Sequence, residues 1–229
     1  MDKTEKENFK EIAGHRSRIY GFLAAVYRQE LTSELLHRMK DHRFREILSG
    51  LGVKLNNGFF HDSEEKLLED LAVEYARLFV GPGKHISPHE SVHHEREDGQ
   101  WGQLWGPSTA EVKKFIESSG LEYTSGYTGL PDHISVELEF IQQVIQREKQ
   151  AWNEGDDETA RLCLKNEKKF VDDHLIRWIP DFCEKVINAA EKSFYKEMAK
   201  LTRRFIEFEK QELRRLKEDT AEFLKYRPL

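Results

Sequence analysis

Histidine and glutamate crowd together in one stretch, where His85, His89, His93 and His94 stand beside Glu90 and Glu95. Imidazole with carboxylate is a donor set for transition metals. Glu90-Ser-Val-His93 has the Glu-x-x-His spacing, and Glu34-Leu-Leu-His37 repeats it. Two such pairs, with carboxylates from other helices, line a di-iron bundle. Here the first pair begins two residues after Pro88 in a glycine-bounded loop, and the second lies in a short segment without a carboxylate in register. A metal-dependent helical-bundle oxidoreductase with a Glu/His carboxylate site is therefore the alternative reading. The main expectation is no metal and no cofactor. Nucleophilic chemistry has less support. Cys163 and Cys183 sit in helical patterns without a C-x-x-C spacing, and Ser91 lacks the strand-turn-helix setting of a nucleophile elbow. Gly81-Pro82-Gly83 follows a helix and lacks the lysine-serine ending of a phosphate loop. No residue pattern argues for an enzyme.

A second constellation is P-D-H-I-S-V-E-L-E-F from Pro131 to Phe140. Asp132 suits the cap of a helix because it can accept hydrogen bonds from first-turn amides. Ile134, Leu138, Ile141 and Ile145 then recur at helical spacing on one apolar face. Asp132, His133 and Glu137 lie near the helix start and off that face. Two readings stay open. In one, Asp132 only caps, His133 is a surface residue and Glu137 favours the positive end of the helix dipole. In the other, the three form a negatively charged binding pocket in which His133 titrates near neutral pH. Trp101 and Trp105 lie in a glycine-rich segment, where a large ring is either tucked under the loop or offered to a ligand.

The elements that must position these groups read as helices throughout. Phe9, Ile12, Ala13, Ile19, Tyr20, Leu23, Val26 and Tyr27 predict a helix over about residues 4–29. Thr32 or Ser33 caps a short helix carrying Leu35, Leu36 and Met39, and another short one covers Phe44 to Leu48. Residues 52–61 read as a loop. Asp62 with Glu65 suggests a capping arrangement for a helix running through Leu67, Leu71, Tyr75 and Phe79 to Gly81. Ser108-Thr109-Ala110-Glu111 reads as a capping box for a helix with Val112, Phe115 and Ile116 inward, closed by Gly120. Residues 122–130 form a second loop. The helix from Asp132 fades at Trp152 to Gly155, and Asp156 or Asp157 starts another with Leu162, Phe170 and Leu175 inward. Pro180 marks the first turn of a last, long helix with Ile187, Phe194, Met198, Leu201, Phe205 and Phe208. Beyond Phe208 the apolar positions thin to Leu213, Leu216, Phe223 and Leu224. The expected fold is all-α, a compact multi-helix domain over 1–229 with sub-parts 1–130 and 131–229 and a long charged C-terminal helix.

The formal net charge of −6 argues against general nucleic-acid binding, which needs a dense basic surface. Residues 192–217 hold nine Lys or Arg against four Glu, a net +5 that leaves −11 for the rest. That acidic body would draw a basic ligand. The two cysteines read as buried hydrophobes in a reducing compartment. No secretory signal opens the chain, and no run approaches the ~18 apolar residues of a membrane span. A soluble, cytoplasmic chain without membrane insertion is expected.

Four segments taken together resemble one family: E-Y-A-R-L-F-V-G-P at 74–82, P-H-E-S-V at 88–92, P-D-H-I-S-V-E-L-E-F at 131–140 and H-L-I-R-W-I-P at 174–180. Their order and spacing are similar to those of the TorD/DmsD/NarJ family of redox-enzyme maturation chaperones. The similarity extends through L-W-G-P-S-T-A-E-V at 104–112 and F-Y-x-x-M-A-x-L at 194–201. The resemblance implies an all-helical cytoplasmic chaperone of TorD-like fold, not an enzyme. Such proteins bind the catalytic subunit of a molybdenum-containing oxidoreductase before its cofactor is inserted. Many also bind its twin-arginine export signal and hold back export. The resemblance places binding on Asp132 and His133 and on Pro88, Ser91 and Val92, and matches Glu74 to the family's early glutamate. Glu90, Glu137, Trp101 and Trp105 complete the expected set, since guanidinium groups need carboxylates and an apolar run needs a groove. Nucleotide binding has no support in the chain. The extended C-terminal helix suits exchange between two copies of a homodimer.

Overall fold

The computed structural model describes residues 3–81, 83–95, 99, 101–121 and 128–225, with side chains described between 6 and 216. Pro82, most of the second predicted loop (122–127) and the side chains of Phe223 and Leu224 lie outside the described residues. Among those described, the α-helices are α1 (Lys3–Arg28), α2 (Ser33–Lys40), α3 (His42–Gly50), α4 (Asn57–His61), α5 (Glu64–Tyr75), α6 (Pro107–Ser118), α7 (Ile134–Glu154), α8 (Asp157–Phe170), α9 (Ile176–Ala189) and α10 (Ser193–Lys225). The expected all-α class is what the chain adopts. The only strand-like pairing among the described residues is one antiparallel bridge between His89 and His133.

The centre of the fold is α7. Its stripe of Ile134, Leu138, Ile141 and Ile145 is fully buried, and its other faces add Val136, Phe140 and Val144. A helix buried on two faces belongs inside a bundle, and the remaining face, with Gln143, Gln146 and Gln150, stays exposed. Accordingly α1 runs along α7, α8 packs against α7, and α10 packs on α9 and α8. Gly155, at φ 75, ends α7 in the left-handed conformation that glycine takes without penalty. Asp156 then caps α8 by accepting the Thr159 amide at 3.0 Å.

Two π turns, Ala76–Val80 after α5 and Val171–Leu175 between α8 and α9, shape the regions around the candidate site. At the first, the Gly81 amide donates to the Ala76 carbonyl at 2.6 Å. A Cβ on Gly81 would sit 3.0 Å from that oxygen, so only glycine fits without displacement. At the second, the extra residue turns Phe170, Val171, His174 and Leu175 all inward.

Several local expectations are corrected. Residues 57–61 form a helical turn within the predicted loop, because Asn56 caps it by accepting the Phe59 amide at 3.1 Å. Asp62 does not cap α5; it pairs with Lys66 at 3.0 Å, and Ser63 holds the cap position without a side-chain bond. The box at Ser108 does not form, since Pro107 starts α6 one residue earlier and puts buried Ser108 and Thr109 inside its first turn. Asp132 is not the cap of α7, which begins at Ile134 and is capped by His133. Leu162 faces solvent, 52% exposed. Pro180 lies inside α9, because α8 passes through the π turn without stopping, and the predicted last helix is two, broken at Ala190.

Candidate functional site

The chain crosses itself where the segment at 88–92 meets 131–134. The Glu90 amide donates to the Asp132 carbonyl at 2.9 Å, and the Ile134 amide to the Pro88 carbonyl at 2.8 Å. Asp132 completes the crossing: its Oδ2 accepts the Ser91 amide at 2.9 Å, fixing the 3-10 turn Glu90–His93. His133 Nδ1 accepts the Ser135 amide at 3.1 Å, so its neutral ring caps α7. The rings of His89 and His133 meet edge to face, 4.9 Å apart.

Beneath this crossing lie the carboxyl groups. Glu90 is 1% exposed, and Asp132 and Glu137 are fully buried. His174 Nδ1 donates to the Glu90 carboxylate at 3.0 Å, and His94 Nε2 reaches it at 3.1 Å. Burial opposes the charge on Glu90, but the donors from His174 and His94 hold its pKa below the usual range. Glu137 goes the other way. Burial, then the neighbouring charges of Glu90 and Asp132, push its pKa well up, and Trp178 Nε1 donates to it at 3.0 Å. The two carboxyl groups are thus pushed in opposite directions, Glu90 toward its charged form and Glu137 toward its neutral one. Asp132 Oδ1, Glu137 Oε1 and Ser91 Oγ are buried without hydrogen-bond partners among the described residues.

His133 does not titrate near neutral pH, contrary to the sequence reading. Burial, followed by the charges of His89 and Arg28, lowers its pKa to about 3. Burial likewise lowers His89 and His93. The His93 Nε2–H donates to the Ser87 carbonyl at 2.8 Å, leaving Nδ1 to face the Lys185 ammonium at 3.3 Å.

The predicted residues therefore divide. Asp132, Glu137, Glu90, Ser91 and Pro88 are buried and form the support of the crossing. Val92 and His133 are half-buried at its surface. Trp101 and Trp105 are 60% and 72% exposed, with Leu104 between them at 47%. Trp105 also holds φ at +63, a region bulky side chains seldom take. The next residue, Gly106, lies so close to Ser91 that a Cβ on it would stand 3.1 Å from the Ser91 Cβ. The tryptophan segment is thus stitched to the crossing while its rings face outward.

Glu74 stands apart. It is 3% exposed and accepts from the Glu191 amide at 2.6 Å and the Lys192 amide at 3.2 Å, ahead of α10. Arg77 grips the same carboxylate at 2.7 and 2.9 Å. Sequence reasoning missed the roles of His174 and Trp178, whose i, i+4 spacing puts both on one helical face toward Glu90 and Glu137. The alternative metal reading loses its ligands: His37 pairs with Glu64 at 2.6 Å, and His93 with a backbone carbonyl. No group of three or more His, Cys, Asp or Glu among the described residues is arranged to hold a metal ion.

The sequence pattern of the nitrate reductase delta subunit family matches residues 38–184. "Chaperone protein TorD" of Vibrio vulnificus (strain YJ016) is 23% identical over 206 residues, covering 85% of this chain and 93% of the relative. The protein of the same name from Vibrio parahaemolyticus serotype O3:K6 is 26% identical over 209 residues, with 85% and 93% covered. A crystal structure of a candidate redox enzyme maturation protein from Archaeoglobus fulgidus aligns with a TM-score of 0.49 at 20% identity, covering 84% of this chain and 93% of that one.

Proposed function

From the premise that the chain belongs to the nitrate reductase delta subunit family, we propose that it is a redox-enzyme maturation chaperone and catalyses no reaction itself. Its client in this reading is the catalytic subunit of a molybdenum-containing oxidoreductase, held in the cytoplasm until cofactor insertion is complete. The name shared by the Vibrio relatives supports the chaperone part. The observation that carries the binding part is the outward-facing Trp101, Leu104 and Trp105 beside the crossing, with Trp105 in a conformation kept against its local preference.

The segment we assign to this surface is the client's twin-arginine leader. Its apolar run would lie on the tryptophans, with Val92 and His133 at the edge. Its guanidinium groups cannot reach Asp132, Glu137 or Glu90, which are covered in the free chain. The carboxylate we assign to them is Glu139, half exposed and paired with Arg28 across α1 and α7. A client arginine would replace Arg28 there, carboxylate to forked donor. Asp132, Ser91, Glu90, Pro88 and Glu137 then act by holding the crossing in place, and Glu74 by holding the α9–α10 joint. Exchange of α10 between two copies is part of the same reading, and light scattering on the purified chain checks it.

The test is fluorescence anisotropy with a labelled leader peptide and its Lys-Lys counterpart. Trp101→Ala with Trp105→Ala should weaken capture by about 30-fold and leave the melting temperature unchanged, and Glu139→Gln should reduce the preference for arginine over lysine. Full affinity in the double tryptophan variant would sink the assignment.

A further inference from the structure

A groove of about 930 Å³ opens between α6, α7, α8 and the Val171–Leu175 turn, and of the residues given a role above only His174 lines it. Its rim carries Lys114, Arg147, Lys169 and Arg177 against Glu111 and Asp173, a net +2 on a chain of net −6. Two of the four cations are occupied. Lys169 pairs with Asp173, and Arg147 donates to the Ser119 carbonyl at 3.2 Å. Lys114 and Arg177 are exposed and have no carboxylate partner among the described residues. The wall between them is apolar: Phe115, Leu121, Val144 and the exposed Leu162 line it.

A cationic rim over an apolar floor fits a ligand that is itself amphipathic and anionic. A small anion would use the rim and leave Leu162 wet, whereas an apolar helix would leave Lys114 and Arg177 unanswered. We propose that this groove docks an acidic, amphipathic peptide segment of a partner polypeptide, with its carboxylates on Lys114 and Arg177 and its apolar side chains on Leu162 and Phe115. The site goes beyond the leader-binding surface and does not depend on it. Its inner end is His174, which lines the groove and donates to Glu90, so an occupant would press on the support of the crossing.

The probe is a short labelled helical peptide with glutamate and leucine on one face, compared with the same peptide carrying lysine for glutamate. The Glu peptide should bind, the Lys peptide should not, and affinity should fall several-fold as salt rises and screens the rim. Lys114→Glu with Arg177→Glu, both at exposed positions, should abolish binding while circular dichroism and leader capture stay unchanged. Leu162→Ala should weaken the Glu peptide without touching its salt dependence. Equal binding of the two peptides, or full binding by the charge-reversed variant, overturns the proposal. So does inorganic phosphate displacing the peptide while Leu162→Ala has no effect, which would mark a small-anion site instead. Loss of leader capture with an intact groove would strike the chaperone reading and leave this one standing.

Discussion

A buried carboxyl group persists only where neighbours supply either donors or a proton, and the crossing of 88–92 with 131–134 uses both. The donors of His174 and His94 favour the charged form of Glu90, whereas burial favours the protonated form of Glu137. Because the folded pKa of Glu137 is raised, its favourable contribution is complete below the unfolded value and is lost as pH rises through the folded one. Glu137→Gln keeps an acceptor for Trp178 and cannot ionise. Thermal melting across pH should show the variant matching the parent in acid and losing less stability on the alkaline side. His133 has the opposite linkage. Its folded pKa of about 3 lies below the ordinary value, so the unfolded chain binds the extra proton, and stability falls as pH drops from about 6.5 toward 3. His133→Asn retains a capping side chain and should reduce that acid slope, to which His89, His93 and the depressed carboxylate of Glu90 also contribute.

At the scale of elements, the joint between α9 and α10 depends on one side chain from elsewhere in the sequence. Glu74 supplies the negative charge and acceptors that the start of α10 needs, and Arg77 ties the clamp to the Ala189 carbonyl at 2.8 Å. Glu74→Ala should cost about 1–3 kcal/mol, as expected when buried donors lose their acceptor. Hydrogen exchange should find the loss concentrated in the amides of residues 191–195, with α7 still protected. The break at Ala190 has no glycine to announce it, and Pro180 announces a boundary that is not there. The first misreads because the amides after Ala190 find their partner in Glu74, 117 residues away, and the second because the π turn carries the chain from α8 into α9 without a stop. By contrast, the stripes of α1 and α7 and the ends at Gly155 and Asp156 were legible, since each rests on neighbours within a turn or two.

Across the whole molecule, α1, α7, α8 and α10 meet on one buried charge. Arg16 reaches Glu167 at 2.7 Å, Glu209 at 2.9 Å and Glu148 at 3.4 Å, all with side chains at most 4% exposed. Burial pushes the pKa of Glu148 and Glu167 up, against the pull of the Arg16 charge. Arg16→Leu would leave three acids facing one another and should destabilise the chain by about 3–5 kcal/mol, the usual penalty for orphaning buried charge. Urea unfolding followed by far-UV and tryptophan signals should show both moving together. Glu167→Gln in that background should recover part of the loss.

Local pattern alone established that this chain is helical, where most of its helices lie and that both cysteines are interior. Helical periodicity and capping are short-range, so they can be read from neighbours in the sequence. The depth of a charged side chain is not short-range. Asp132 and Glu137 looked like an open acidic mouth, and only the packing of 88–92, His174 and Trp178 over them turned them into supports, leaving the tryptophans exposed outside.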